Sequence, residues 1–279
     1  MQIDLPAGRL PLDRVQVMGI LNRTPDSFYD GGEYLRLDAA ITHARQMVAD
    51  GAGLIDVGGE KAGPGDPVSE SEEIRRVIPV IEALHSDLSV PISIDTFKPP
   101  VAKAAVAAGA SIINGISGLA DPALRRIAAE SGAAVVIMHI QGMPRVANPR
   151  PRYRDVVAEV REFLERRAHQ CVAEGISAER IIIDPGPGFG KTTDHDLEVL
   201  RHLAQLTALP YPVLLAASRK KFIGDLLGAD VTERLEGSLA VVAWGVLQGV
   251  KLVRVHDVRS TRRVVAMTEA VLHPEMIEA

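Results

Sequence analysis

The sequence is sparing with cysteine and with aromatics. Cys171 is its single cysteine, Trp244 its single tryptophan, and Phe, Trp and Tyr together make up 4% of 279 residues. One cysteine excludes an internal disulfide framework and fits a reducing compartment. No apolar run approaches the ~20 residues that a bilayer-spanning helix needs. Residues 1–14 also lack the charged-then-apolar order of a secretory signal. Positive charge is not in surplus: the net charge is −5, which removes bulk attraction to nucleic acid or to an anionic membrane. These absences lead us to expect a cytoplasmic protein with neither nucleic-acid nor membrane partners. The one basic cluster, Arg145, Arg150, Arg152 and Arg154, lies in a Pro-rich stretch and reads as a hydrated loop.

What is present is a repeated alternation. Short apolar runs rich in Val and Ile recur at 15–21, 54–57, 92–94, 112–114, 134–138, 181–183, 213–217 and 252–255. Several lack polar alternation, as strands covered on both faces do. Amphipathic stretches lie between them at 38–50, 70–85, 100–108, 122–131, 153–174, 194–206, 232–248 and 260–271. Cys171 falls on the apolar stripe of the stretch 153–174 and reads as core filling. About eight strand–helix units in strict order predict an α/β fold, a (β/α)8 TIM barrel. The other candidate, an open doubly wound sheet, lacks a compact GxGxxG turn after its first strand. No linker divides the chain, so residues 1–279 read as one domain with 1–14 as an N-terminal extension.

In such barrels the active site forms at the C-terminal strand ends. Here those ends carry Asn22, Gly58-Gly59-Glu60, Asp95, Asn114, His139, Asp184, Ser218-Arg219-Lys220, and Arg254 with His256. Any one of them could cap a helix. Their convergence on one mouth asks for a polar ligand, because unsatisfied buried polar groups are costly. Asp95, Asn114 and Asp184 complement a flat heterocycle with a guanidine-like edge, to which a carboxylate offers two parallel acceptors. Lys220, Arg254 and His256 are basic and Asn22 adds an oxygen, a set suited to a pyrophosphate with Mg2+. Residues 184–191 are Gly/Pro-rich without Walker spacing. Two long loops, 22–34 and 60–69, read as lids or substrate contacts on the same face. His43, His85, His169, His195 and His202 lie on helical stretches and read as surface groups.

From about Val15 to Met267 the chain resembles dihydropteroate synthases of the pterin-binding superfamily. The resemblance rests on Met18-Gly19-Ile20-Leu21-Asn22-Arg23-Thr24-Pro25-Asp26-Ser27-Phe28, on Asp56-Val57-Gly58-Gly59-Glu60 and on Asp184-Pro185-Gly186-Pro187-Gly188-Phe189-Gly190-Lys191. Ala217-Ser218-Arg219-Lys220-Lys221-Phe222-Ile223-Gly224 and Arg254-Val255-His256-Asp257 complete it. It implies condensation of 6-hydroxymethyl-7,8-dihydropterin pyrophosphate with p-aminobenzoate to dihydropteroate, a step of folate biosynthesis. It also implies Mg2+ and a homodimer. Asp95, Asn114, Asp184 and Lys220 would hold the pterin, Met138 and Phe189 would line its cavity, and Arg254 would pack on the ring. Asn22, Arg254 and His256 would hold the pyrophosphate, with Asn22 as the metal ligand, and Ser218 and Phe189 would border p-aminobenzoate. Three positions depart from the family pattern. Lys61-Ala62-Gly63 replaces Ser-Thr-Arg in the second loop, Gly115 replaces an Asp after Asn114, and Arg23 replaces a small apolar residue. Arg23 or Lys61 would have to restore the lost positive charge. Two other readings stand beside the synthase: a pterin-binding paralogue without that activity, and a methyltetrahydrofolate-dependent methyltransferase. The methyltransferase has no use for the pyrophosphate-type motifs at Ser218–Lys220 and Arg254–His256.

Overall fold

Strands with apolar residues on both faces need helices outside and side chains inside, and a closed parallel barrel supplies both. A computed structural model of the chain describes residues 1–6, 8–23 and 37–276. After an antiparallel hairpin of β1 (Gln2–Leu5) and β2 (Gly8–Pro11), eight parallel strands follow. They are β3 (Gln16–Asn22), β4 (Leu54–Gly58), β5 (Ile92–Asp95), β6 (Ile112–Gly115), β7 (Ala134–Met138), β8 (Ile181–Asp184), β9 (Leu214–Leu215) and β10 (Leu252–Val255). They pair in the order β8-β7-β6-β5-β4-β3-β10-β9. A parallel bridge between Ile183 and Val213, with Ile183 N–H donating to the Pro212 carbonyl at 3.0 Å, brings β9 back to β8 and closes the ring. The barrel expected from the sequence is therefore present.

Side chains on a strand alternate between faces, and the barrel sorts its apolar residues accordingly. Val17, Ile55, Ile113, Val135, Ile137, Ile181, Ile183, Leu215 and Val253 pack outward against the helices. Met18, Leu54, Ile112, Ala134, Val136, Ile182, Leu214 and Leu252 point inward and pack with Ile3, Leu5, Leu10 and Leu12 of the hairpin. Residues 1–6 and 8–14 are thus a plug that covers the N-terminal end of the barrel, more than the extension the sequence suggested. Leaving that end open would expose the inward Leu and Ile layer to water, at roughly 1.5–3 kcal/mol per side chain.

The surrounding helices are α1 (Leu37–Ala49), α2 (Glu70–Asp87), α3 (Pro99–Ala107), α4 (Pro122–Ser131), α5 (Val156–Ala173), α6 (Thr193–Arg201), α7 (Ala204–Thr207), α8 (Lys221–Leu227), α9 (Leu235–Leu247) and α10 (Val258–Leu272). Their starts are written locally. Ser69, Asp121 and Asp155 accept backbone N–H bonds at the heads of α2, α4 and α5, and Thr192 and His195 form a capping box on α6. Two details differ from the sequence reading. The stretch 194–206 forms two helices, and the run 213–217 pairs as a strand over only two residues. Pro212 has no N–H to give, so the β8–β9 ladder shrinks to a bridge. Cys171 is buried in the outer layer, as expected of core filling.

Candidate active site

The two-residue period that places Leu54, Ile112, Ala134, Ile182 and Leu252 inside the barrel carries upward to its C-terminal mouth. Asp56, Asn114, Met138, Asp184 and Arg254 lie on the same inward face, one or two steps further along. A salt-bridged cluster results. Arg254 Nε donates to Asp56 Oδ2 at 2.6 Å, a second guanidinium nitrogen donates to Asp95 Oδ2 at 2.8 Å, and Asn114 Nδ2 donates to Asp56 Oδ2 at 3.1 Å. Burial opposes the charge on Arg254, but Asp56 and Asp95 outweigh it and hold its pKa above the ordinary guanidinium value. Burial pushes the Asp95 carboxyl up, to about 7, against the pull of Arg254. Asp56 Oδ1 is buried and has no hydrogen-bond partner among the described residues. An unsatisfied buried acceptor costs ~1–3 kcal/mol, so this oxygen suits a donor brought by a ligand or a water. Asp56 is the site residue that sequence reasoning missed. Its signal was its position two residues after the inward Leu54.

Asp184 opens the Gly/Pro-rich segment after β8. Its Oδ1 accepts the Gly186 N–H at 2.7 Å, which leaves Oδ2 for a ligand. Burial raises its pKa to about 6. Gly186 has φ +63°, and a Cβ there would sit 2.1 Å from the His139 carbonyl oxygen, so only glycine fits. Lys191 ties the segment down by donating to the Gly186 and Phe189 carbonyls at 3.0 and 3.3 Å. Its Nζ also lies 2.9 Å from His139 Nδ1. Burial lowers the pKa of Lys191 to about 7 and that of His139 to about 3. His139 is thus a neutral acceptor that supports this loop, packed against Phe163 and Tyr153, rather than a group at the mouth. Lys220 Nζ stands 3.8 Å from the centre of the Phe189 ring, a cation–π contact that holds the ammonium over the mouth. Burial lowers its pKa to about 8.

Next to this cluster lies a cavity of about 220 Å³, walled by Ile20, Asn22, Glu60, Lys61, Ala62, Gly63, Asp95, Ala216, Ser218, Lys220, Arg254 and His256. Six of the ten predicted site residues therefore line it: Asn22, Asp95, Ser218, Lys220, Arg254 and His256. Asn114 reaches them through Asp56, Phe189 reaches them through Lys220, and Met138 pairs in register with Asp184 on the neighbouring wall. Ser218 Oγ accepts the His256 backbone N–H at 3.3 Å and stands 3.0 Å from His256 Nδ1. Ser218 donating to Nδ1 leaves Nε2 as the protonated nitrogen. Burial, with Arg254 nearby, lowers the pKa of His256 to about 4, so of the three basic residues it is the one that acts as a neutral donor. Positive charge at the mouth comes from Lys220 and Arg254, with Lys61 in the cavity wall.

Arg23 is buried and is not among the residues that wall the cavity; its Nε donates to the Arg76 carbonyl of α2 at 3.4 Å. One other sequence reading changes. Arg145 is not a solvated loop residue. It is largely buried and bonded to the second loop, whereas Arg150, Arg152 and Arg154 are exposed as expected. Residues 24–34 of the first long loop lie outside the described residues. No group of three or more His, Cys, Asp or Glu arranged for a metal occurs among the described residues. An Asn oxygen beside a phosphate site suits Mg2+, which keeps several waters and takes few protein ligands, better than it suits zinc.

A cavity at the mouth of a barrel, lined by carboxylates and by basic side chains, coincides with a match to the pterin-binding enzyme family over residues 18–256. The chain belongs to this family. Relatives within the family cover nearly its whole length. The dihydropteroate synthase of Escherichia coli K12 is 44% identical over 264 residues, which are 94% of each chain. The inactive dihydropteroate synthase 2 of Mycobacterium tuberculosis H37Rv is 46% identical over 265 residues, covering 93% of this chain and 83% of that protein. The dihydropteroate synthase of Xanthomonas albilineans in complex with 7,8-dihydropteroate superposes with a TM-score of 0.89 at 42% identity, covering 100% of both chains.

Proposed function

We propose that the protein is a dihydropteroate synthase. It joins 6-hydroxymethyl-7,8-dihydropterin pyrophosphate to p-aminobenzoate. The carbon–oxygen bond to pyrophosphate breaks, the carbon–nitrogen bond to the arylamine forms, and one amine proton is released with pyrophosphate. The observation that carries this reading is one mouth in which Asp56, Asp95 and Asn114 gather around Arg254, with Asp184 at the end of β8, while Lys220, His256 and Asn22 wall the adjoining cavity. The carboxylates accept N–H donors from the pterin edge, with Met138 and Phe189 against the ring. The basic side chains stabilise charge that grows on the departing pyrophosphate, where preorganised donors in a dry site count most. Mg2+ held with the pyrophosphate by Asn22 would neutralise part of that charge. The second-loop wall and Ser218 border the space left for p-aminobenzoate, so the amine is held for attack as the methylene carbon becomes cationic.

One observation favours a second reading, a pterin-binding protein without synthase activity. Lys61-Ala62-Gly63 walls the cavity without the Thr and Arg of the family pattern. Turnover with labelled p-aminobenzoate, with pterin binding measured in parallel by calorimetry, separates the two. Dihydropteroate formation establishes the synthase, and pterin binding without product establishes the second reading.

The dependence of kcat/KM for the pterin substrate on pH should be a bell. Below about pH 7 Asp95 takes up a proton, and below about pH 6 Asp184 follows, each offering a donor where the ring needs an acceptor. Above about pH 8 Lys220 loses its charge. Because kcat/KM reports groups of the free enzyme, a profile flat between about pH 5 and 9 would overturn these assignments.

We further assign the protein to the cytoplasm, where the lone Cys171 stays reduced, and infer a homodimer. Leu226 and Leu227 of α8, Trp244 and Leu247 of α9, and Met267 and Val271 of α10 are large apolar side chains left exposed on consecutive helices. Because α9 packs against both α8 and α10, these side chains lie on neighbouring helices, and exposed apolar residues gathered there suit an interface between protein chains. Sedimentation equilibrium should give twice the chain mass, and Leu247→Glu should give the monomer. A parent that sediments as a monomer at micromolar concentration would refute the assembly.

A further inference from the structure

We propose that Arg145 is a positioning residue that reaches from the loop after β7 to fix the second loop, supplying from outside that loop the guanidinium its own sequence lacks. One guanidinium nitrogen donates to the Lys61 carbonyl at 2.6 Å and also to the Gly63 carbonyl; the other donates to the Asp66 carbonyl at 2.6 Å. Nε lies 3.1 Å from Glu60 Oε1, an ion pair without the alignment of a hydrogen bond. Lys61 and Gly63 are themselves cavity wall, so Arg145 sets the backbone of residues facing the ligand while standing outside the wall. The two loops fit as a unit. A Cβ on Gly65 would sit 2.8 Å from the Arg145 guanidinium, so the second loop makes room for it with a glycine. The base of the loop has further ties besides that ion pair: Glu60 accepts the Val68 N–H at 3.0 Å, and Lys98 donates to Glu60, to Glu73 and to the Val68 carbonyl. Arg145 holds the crest, 61–66, through its backbone carbonyls.

Arg145 also adopts φ +66°, a left-handed backbone that is unfavourable for a non-glycine residue. Such a conformation persists where surrounding contacts over-determine it, and the carbonyl bonds to the second loop are those contacts. A planar fork bonds several carbonyls at once where a lysine ammonium acts as a point charge.

The substrate part of this inference rests on the synthase reading, with p-aminobenzoate beside the second loop. The test compares the full-length parent with Arg145→Met, Arg145→Lys and, as control, Arg150→Met in the exposed part of the same loop. Hydrogen exchange of ligand-free protein should show residues 61–66 opening about tenfold faster in Arg145→Met, with β5 unchanged. Steady-state kinetics should show KM for p-aminobenzoate raised about tenfold or more, with kcat and KM for the pterin substrate within about threefold. Arg145→Lys should fall between, and Arg150→Met should match the parent. Unchanged exchange at 61–66 overturns the inference. So does a loss confined to kcat, which would mark a general structural defect. A parent that makes no dihydropteroate defeats the synthase reading instead, and the exchange experiment still decides whether Arg145 holds the loop.

Discussion

Replacing Arg254 with methionine should cost stability and activity together, by more than any other single change at the mouth. The guanidinium bridges the side chains of Asp56 and Asp95, bonding Oδ2 of one at 2.6 Å and Oδ2 of the other at 2.8 Å. Removing one partner of a buried ion pair costs ~3–5 kcal/mol because the opposite charge is stranded. Here two carboxylates lose their cation; Asp56 keeps the Asn114 amide, but its Oδ1 already has no partner among the described residues. Against a total stability of ~5–15 kcal/mol, the loss should show as a large fall in the urea midpoint. Turnover should drop by ~10²–10³ or more, the scale of deleting one preorganised donor to a developing anion. Arg254→Lys separates the two effects: it keeps a positive charge between the carboxylates but cannot bond both as a fork. It should recover much of the stability and little of the turnover. Arg254→Met with turnover within tenfold of the parent would remove Arg254 from the reaction.

How much of this could be read in the sequence depends on which rule governs each residue. Strand runs and helix stretches were legible because a barrel strand buried on both faces is apolar throughout. The C-terminal ends of those runs then gave Asn22, Asp95, Asn114, Asp184, Lys220, Arg254 and His256. The inward parity fixed by Leu54 also reaches Asp56, yet Asp56 was hidden inside an apolar run. A buried Asp there looks like an interruption until Arg254, 198 residues away, is brought against it. Long-range partners explain the other revisions too. Arg145 reads as hydrated until the second loop, some 80 residues earlier, is folded over it. His256 reads only as basic, and its neutral state follows from burial and from Arg254, which lower its pKa. The hairpin at residues 2–11 was missed because Ile3, Leu5, Leu10 and Leu12 find apolar partners only at the closed barrel's lower end.

Asp184→Asn should leave the ligand-free protein more stable and nearly unable to bind pterin. The two effects share one cause. Burial raises the Asp184 pKa from 3.8 to about 6, so the folded protein loses stability between about pH 4 and 6 as this group is forced to ionise. Above that range the full penalty is present, on the order of 3 kcal/mol from that displacement. Asparagine carries no charge and escapes it. The same substitution reverses the hydrogen-bonding sense toward the ligand. The Gly186 N–H at 2.7 Å requires an acceptor, so the amide oxygen must take the place of Oδ1. The NH2 group then faces the pterin, a donor against a donor. Losing a charge-assisted pair and leaving a ligand N–H unsatisfied each cost ~1.5–3 kcal/mol, so pterin affinity should fall by ~10²–10⁴. Thermal melts near neutral pH should show Asp184→Asn above the parent, and calorimetry should show pterin binding lost. A variant that gains stability and still binds pterin within tenfold of the parent would mean that Asp184 serves the Gly186 turn alone, and that the ring is held elsewhere in the mouth.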